Sequence, residues 1–231
     1  MKSRYSVSVV TPIYNEAALL EKSLLKINSF LKKNFQQWEI IVVESGSTDG
    51  SDKLCDDLTK KFPRMRVIHE GEKRGYGSAL KLGFKKAKHD LIWPVTVDLP
   101  FPLSTILRAM PLLSKYDCIL SFRSQDKRKF PRRFQSFIFN SICKFALNLP
   151  VTHVNSAFKV FKRNVIGNMK LISKGWLLDC EICYRLRQNK VSLVEIGVPL
   201  VERPYRSSSV KFFTSFSIAI ELLGFFFKKD Q

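Results

Sequence analysis

The sequence is short of cysteine, of acidic residues and of long apolar runs, and each shortage excludes something. Its five cysteines, Cys55, Cys118, Cys143, Cys180 and Cys183, are an odd, scattered set. They fit a reducing compartment better than a disulfide framework. Cys180 and Cys183 form a C-x-x-C, but there is no second pair and no nearby histidine, so helix packing is expected rather than zinc or redox chemistry. No uninterrupted apolar stretch reaches the roughly 20 residues of a membrane-spanning helix. The basic, briefly apolar start resembles a secretion signal only superficially, because Pro12, Asn15 and Glu16 follow at once without a small-residue cleavage site. Aspartate plus glutamate number 20 against 39 lysines and arginines, for a formal charge of +19. That surplus says nothing of the fold but selects anionic partners: nucleic acid, an acidic membrane surface or a phosphorylated substrate. Helix-turn-helix, zinc-finger and interleaved basic-aromatic signatures are all missing, which argues against nucleic acid.

What is present is enough for a sizeable core. The 231 residues, 45% hydrophobic, suit one large α/β domain and exclude wholesale disorder. Apolar strands are expected at 6–11 (stopping at Pro12), 39–43, 66–69, 91–97 and 118–122. Helices are expected between them at 17–32, 49–62, 77–88 and 103–115. Such alternation predicts a doubly wound, mostly parallel sheet covered on both faces. The second half is less regular, with helices expected at 134–147 and 177–188, an extended stretch at 157–161 and a strand at 191–196. Arg123, Lys127, Arg128, Lys129, Arg132 and Arg133 stand against Asp126 alone in 123–133.

Ligands of these sheets bind beyond the carboxyl ends of the strands, where strand order reverses. After the first strand, Tyr14 can stack on a base and Glu16 can accept hydrogen bonds from ribose or base; alternatively, Asn15 simply caps the next helix. After the second, Glu44 precedes a run of small residues, which suits a nucleoside and equally suits a turn capped by Ser47 or Asp49. Gly75 and Gly77 open the third helix and can cradle a phosphate, although no Gly-Lys-Ser/Thr follows as in a P-loop. After the fourth, Asp98 can hold a divalent cation bridging a diphosphate or cap the helix beyond.

PIYNE at 12–16, ESGSTDG at 44–50, RGYGSAL at 74–80 and VDLPFP at 97–102 thus stand in order at four successive strand ends. Together they resemble the family 2 glycosyltransferases of GT-A fold, closest to the dolichyl-phosphate mannose synthase and polyprenyl-phosphate glycosyltransferase group. Arg123, the stretch 155–159, Asp179-x-Glu181 and 195–199 agree in order, so the resemblance covers about residues 6–212. It implies a GT-A domain over 1–210. It also implies inverting transfer of a hexose from a nucleotide sugar, of GDP-mannose or UDP-glucose type, to a polyprenyl or dolichyl phosphate. Pro12, Tyr14, Glu16, Glu44, Ser45 and Gly77 would line the nucleotide site. Asp98 would face the sugar diphosphate and any metal. Arg123, Arg132 and Ser136 would hold the acceptor phosphate, so that Asp98, Arg123 and Arg132 form the catalytic group. Arg203, Arg206 and Lys211 would neutralise the diphosphate or the acceptor. Two departures matter: Glu44-Ser45 replaces the usual Asp-Asp, and Thr96-Val97-Asp98 replaces Asp-x-Asp. Use of Mg²⁺ or Mn²⁺ is then weakened, or its charge is supplied by arginine and lysine. Two alternatives follow. One is a saccharide hydroxyl acceptor, with Asp179 or Glu181 as general base. The other is a weakened nucleotide-sugar-binding relative serving as a membrane partner protein.

The tail fits the lipid reading. Six phenylalanines fall in 212–227, while Thr214, Ser217, Glu221, Gly224 and Lys228 make one polar stripe. An amphipathic helix over 211–231 would then lie in a membrane interface, at the cytoplasmic face, or else pack on the domain's own core.

Overall fold

A computed structural model describes residues 2–125, 130–200, 221, 222, 224 and 225, with the backbone alone at 131 and 132. Seven strands form one sheet: β1 Val7–Ile13, β2 Trp38–Glu44, β3 Met65–His69, β4 Leu91–Pro94, β5 Cys118–Arg123, β6 Lys159–Lys162 and β7 Leu193–Val198. Their order is β3-β2-β1-β4-β6-β5-β7. All pairings are parallel except the two made by β6. The helices are α1 Ala17–Asn34, α2 Ser51–Lys61, α3 Tyr76–Lys86, α4 Thr105–Ala109, α5 Phe130–Leu147, α6 Arg163–Ile166 and α7 Leu178–Gln188. This is the expected mostly parallel α/β sheet. Among the described residues, no helix is long and apolar enough to cross a membrane.

Strand pleating explains the two cores. Side chains of β1 alternate between faces. Val7, Val9 and Ile13 meet Leu20, Leu24, Ile27 and Leu31 of α1, which recur at helical spacing. Val10 points the other way, to Leu80 and Phe84 of α3. A Cβ at Gly83 would stand 2.2 Å from Val10 Cγ1, so only glycine lets α3 lie this close to the sheet. Each fully buried aliphatic side chain contributes about 1.5–3 kcal/mol.

Three local expectations are corrected, each by a proline. β1 runs through Pro12 to Ile13 instead of stopping. Val10 and Pro12 direct their backbone groups to the β4 side, and β4 has ended its register at Pro94 opposite Val10. The missing Pro12 N–H therefore breaks no ladder bond. β4 is shorter than 91–97, because Pro94 cannot donate toward β6 and pairing with β6 covers only Leu91 and Ile92. The helix expected over 103–115 is split into α4 and a 3₁₀ turn, Met110–Ser114, because Pro111 lacks the N–H an α-helix would use there. In α5 a proline acts the opposite way: Pro131 sits in the first turn, where no N–H is needed, and the helix starts at Phe130 rather than 134.

The chain moves outward from β1 through β2 to β3, then returns to place β4 on the other side of β1. The strand order therefore reverses between β1 and β4. The carboxyl ends of the six co-directional strands share one edge with the start of β6.

Candidate active site

At that edge the first two strand ends are tied together. Asn15 adopts a positive φ of 54°, its N–H donates to Ser47 Oγ at 3.0 Å, and its Oδ1 accepts from Thr48 N–H at 2.8 Å. Asp49 bridges two helices, accepting from Ala17 N–H at 3.0 Å and from Ser51 N–H at 3.0 Å. Glu16 N–H donates to Ser51 Oγ at 2.9 Å. The expected Asp49 cap is therefore present and serves the first turns of both helices, whereas Asn15 does not cap α1: its side chain holds the 44–50 turn instead. Tyr14 is half-buried, with Lys73 Nζ 4.0 Å from its ring centroid.

Glu44 is buried and already engaged. One carboxylate oxygen accepts from Ser47 N–H at 2.6 Å, and the other faces His69 Nδ1 at 3.1 Å. Burial pushes its pKa up, but the bonds from Ser47, His69 and Gly46 outweigh this and hold it below the ordinary value. His69 Nε2 lies 2.9 Å from Asp56. The Asp56 bond, aided by Glu44 and opposed by burial, raises the His69 pKa. Ser45 Oγ donates to Glu70 at 2.6 Å, and Ser78 Oγ donates to the other Glu70 oxygen at 2.7 Å. The residue standing in for the usual second aspartate thus locks β2 to α3. Gly77 has a different duty from the expected cradle. Its missing Cβ is where the Gly175 carbonyl stands, 2.8 Å away, and Ser78 N–H donates to the Lys174 carbonyl at 3.1 Å. One N–H of the α3 N-terminus, that of Ser78, is thus taken by protein backbone.

Beyond β4 the chain turns sharply. Val95 N–H donates to the Val10 carbonyl at 2.9 Å, and Leu99 N–H to that of Thr96 at 3.0 Å. Ser23 Oγ donates to the Val97 carbonyl. Leu99 takes a φ of 46°, uncommon for a leucine. This turn fixes Asp98 beside the switch point, with the Thr96 hydroxyl donating to its carboxylate. No group of three histidine, cysteine or acidic side chains is disposed to hold a metal among the described residues.

On the other flank, Arg123 ends β5 half-buried and donates to Ser136 Oγ of α5 at 3.3 Å. The Arg132 side chain, with Arg203, Arg206 and Lys211, lies outside the described residues. Lys159, at the start of β6, pairs with Asp179 at 2.9 Å, both buried. Glu181 is wholly buried and accepts from Ile172 N–H at 2.8 Å and Ser173 N–H at 2.7 Å. The expectation of Glu181 as a general base is therefore corrected: its carboxylate collars a loop. Of the tail, Leu222 and Phe225 are buried in the core, Phe225 edge-on to Tyr184 at 5.6 Å. Glu221 accepts from Gly175 N–H at 2.9 Å. The rest of the expected helix 211–231 lies outside the described residues.

His69, Lys73, Glu70 and Lys159 were not anticipated. The first three come from the end of β3 and the loop after it, and meet the site only through strand pairing.

Residues 8–169 match the family model described as glycosyl transferase family 2. An undecaprenyl-phosphate 4-deoxy-4-formamido-L-arabinose transferase of Aeromonas hydrophila is 28% identical, over 71% of this chain and 51% of its own length. A dolichyl-phosphate beta-glucosyltransferase of Saccharomyces cerevisiae is 24% identical, over 83% of this chain and 66% of its own. The chain therefore spans about half the length of the first of these relatives. Glucosyl-3-phosphoglycerate synthase of Mycobacterium tuberculosis, solved with Mn²⁺, UDP and glucosyl-3-phosphoglycerate, has the same fold. Its TM-score is 0.68 at 18% identity, covering 96% of this chain and 80% of that one.

Proposed function

Since the chain belongs to glycosyl transferase family 2, we propose that it moves a hexose from a nucleotide sugar to a polyprenyl phosphate, with inversion, at the cytoplasmic face of a membrane. The observation that carries the acceptor class is the state of the α7 carboxylates. An alcohol acceptor needs a base within about 2.6–3.2 Å of its proton. Glu181 is sealed in the core and Asp179 is paired to Lys159. A lipid monophosphate needs no base, because it is already an anion near neutral pH, its second pKa being about 6. Its oxygen attacks the anomeric carbon, the bond to the diphosphate breaks, and a nucleoside diphosphate leaves. The reaction then requires cations that bring two anions together. Arg123, steadied by Ser136, stands at the strand edge for that purpose, and Arg132, Arg203, Arg206 and Lys211 would add charge. The names of the Aeromonas and Saccharomyces relatives support a polyprenyl phosphate acceptor.

Tyr14, Pro12, Glu16, Glu44 and Ser45 would shape the nucleoside end. Tyr14 would stack on the base, and Glu44 would act mainly by holding the 45–49 turn. A divalent ion would be held by Asp98 and the donor's own phosphate oxygens, a one-carboxylate arrangement that Mg²⁺ accepts. When bound, it neutralises charge on the departing diphosphate.

Radiolabelled GDP-mannose or UDP-glucose with polyprenyl phosphate, with and without Mn²⁺, tests the proposal. A lipid-linked product of inverted anomeric configuration by NMR is expected; no product with any common donor would sink it. One observation favours a saccharide acceptor as the second reading. Asp179 Oδ1 has no hydrogen-bond partner among the described residues. Glycan-directed activity abolished in Asp179→Asn would establish that reading instead.

A further inference from the structure

His69 ends β3 at the ligand edge, and both nitrogens of its ring face carboxylates. Nδ1 is 3.1 Å from Glu44 Oε2 of β2, and Nε2 is 2.9 Å from Asp56 Oδ1 of α2. A neutral imidazole carries one N–H and can satisfy only one of the two. The imidazolium carries two and satisfies both. The carboxylates differ in what they stand to lose. Asp56 is exposed, so water can take over its bond. Glu44 is buried, and among the described residues His69 is the only basic side chain paired with it. In either tautomer, a neutral ring therefore leaves a buried carboxylate without its counter-charge, which is costly.

The neighbouring titratable groups have other duties. Glu70, next in the chain, accepts from Ser45 and Ser78. Asp49, ahead of α2, is held by the N–H groups of Ala17 and Ser51. Cys55 of α2 stays a neutral thiol, pushed up to about 12 by burial, Glu44 and the carboxylates Asp56, Asp52 and Asp49. Lys73 sets its ammonium over the Tyr14 ring. What Glu44 holds is the nucleoside side of the edge. Its other oxygen accepts from Ser47 N–H at 2.6 Å, and Ser47 Oγ accepts from Asn15 N–H, beside Tyr14, at 3.0 Å. One line of hydrogen bonds thus runs from exposed Asp56 through His69 and Glu44 into the turns after β2 and β1.

We propose, resting on the nucleotide-sugar reading of this edge, that His69 is a positioning residue for the donor nucleotide. Its protonated ring holds Glu44, and through Glu44 the 45–49 turn, in the form that receives the nucleoside. Protonation of one side chain and binding of the donor are then coupled. The coupling is reciprocal: the imidazolium favours nucleotide, and nucleotide favours the imidazolium. Asp56, aided by Glu44 and opposed by burial, holds the His69 pKa above the ordinary 6.5. Donor affinity is therefore full at lower pH, where the ring is charged, and falls as pH rises through the folded value.

Calorimetry of the full chain with UDP and with GDP, in Mg²⁺ buffer from pH 6 to pH 9, tests this. For whichever nucleotide binds, wild-type affinity should fall at least about fivefold across that range. His69→Gln should bind at the weaker level throughout. The nucleotide's own phosphate titrates alike in both proteins, so the difference between the two profiles is the reading. Asp56→Asn, a change at an exposed side chain, should move the fall to lower pH. NMR of the His69 ring should give a higher pKa with nucleotide bound than without. If His69→Gln does not fold, the Asp56→Asn profile and the NMR titration decide alone. Parallel profiles in wild type and His69→Gln would overturn the proposal and leave the nucleotide-sugar reading standing. So would a fall that Asp56→Asn does not move, or a His69 pKa that nucleotide leaves unmoved or lowers. Binding of neither nucleotide, nor of UDP-glucose or GDP-mannose, at any pH would remove both.

Discussion

Phe158 and Phe137 are the same residue in two unlike halves of the molecule. Phe158, just before β6, is completely buried, edge-on to Trp93 at 6.2 Å and to Phe101 at 5.4 Å. Phe137, on α5, is 68% exposed. The halves differ as these residues do. On the β1–β4 side, the turns after β1 and β2 are tied to each other by hydrogen bonds, and little apolar surface faces solvent. On the α5 side, the inner face is core and the outer face is bare. The first half is built to hold one geometry, which suits a nucleotide site whose groups must be in place beforehand. The second is built to meet something apolar outside itself.

The sharpest way to break the contrast is to truncate both phenylalanines. Phe158→Ala should cost about 3–5 kcal/mol, read as a lowered urea midpoint, because it opens a cavity among packed rings. Lys159→Met should cost a similar 3–5 kcal/mol by stranding the buried Asp179 charge. Lys159→Met/Asp179→Leu should recover most of that loss. Asp98→Asn should leave stability near wild type but lower kcat by at least about 100-fold, equivalent to about 2.7 kcal/mol of transition-state stabilisation. A smaller effect is expected at His69. Its pKa is raised in the fold by Asp56 and Glu44, so its stabilising contribution is full below the unfolded value of about 6.5 and is lost as pH rises through the folded value. The stability gap between wild type and His69→Gln should therefore be wider at pH 6 than at pH 8.5 in matched urea titrations. Smallest of all, Phe137→Ser should change stability by no more than about 0.5 kcal/mol. A loss like that of Phe158→Ala would mean that the two halves do not differ.

Much of the first half was legible because its strands are apolar runs and its helices repeat at 3.6 residues. The four ligand-edge turns followed from those elements. Less legible was whatever depends on a partner distant in sequence. Pro12 looks like a strand end until β4 is known to stop opposite Val10. Gly77 looks like a phosphate cradle until the backbone of 174 and 175 is found against it. His69 meets Glu44 only because β3 lies beside β2. Glu181 looks like a base candidate until the loop it collars is seen. For α5, the spacing predicted a helix, but spacing does not distinguish an apolar face turned inward from one turned outward.

β6 is the one strand that runs against the others, so its beginning, not its end, lies at the ligand edge. The strands β1 to β5 deliver their turns into helices that follow each of them. The stretch before β6 arrives from the end of α5 and has no helix to enter. Thr152 is held there by Glu195 of β7 at 2.7 Å, and Val154 by Asn140 of α5 at 2.7 Å. Further on, Ser156 Oγ accepts from Ser121 N–H of β5 at 2.6 Å, and Phe158 N–H donates to Ser121 Oγ at 3.1 Å. The approach to β6 is thus fixed by side chains of three other elements, β7, α5 and β5, rather than by the start of a helix of its own.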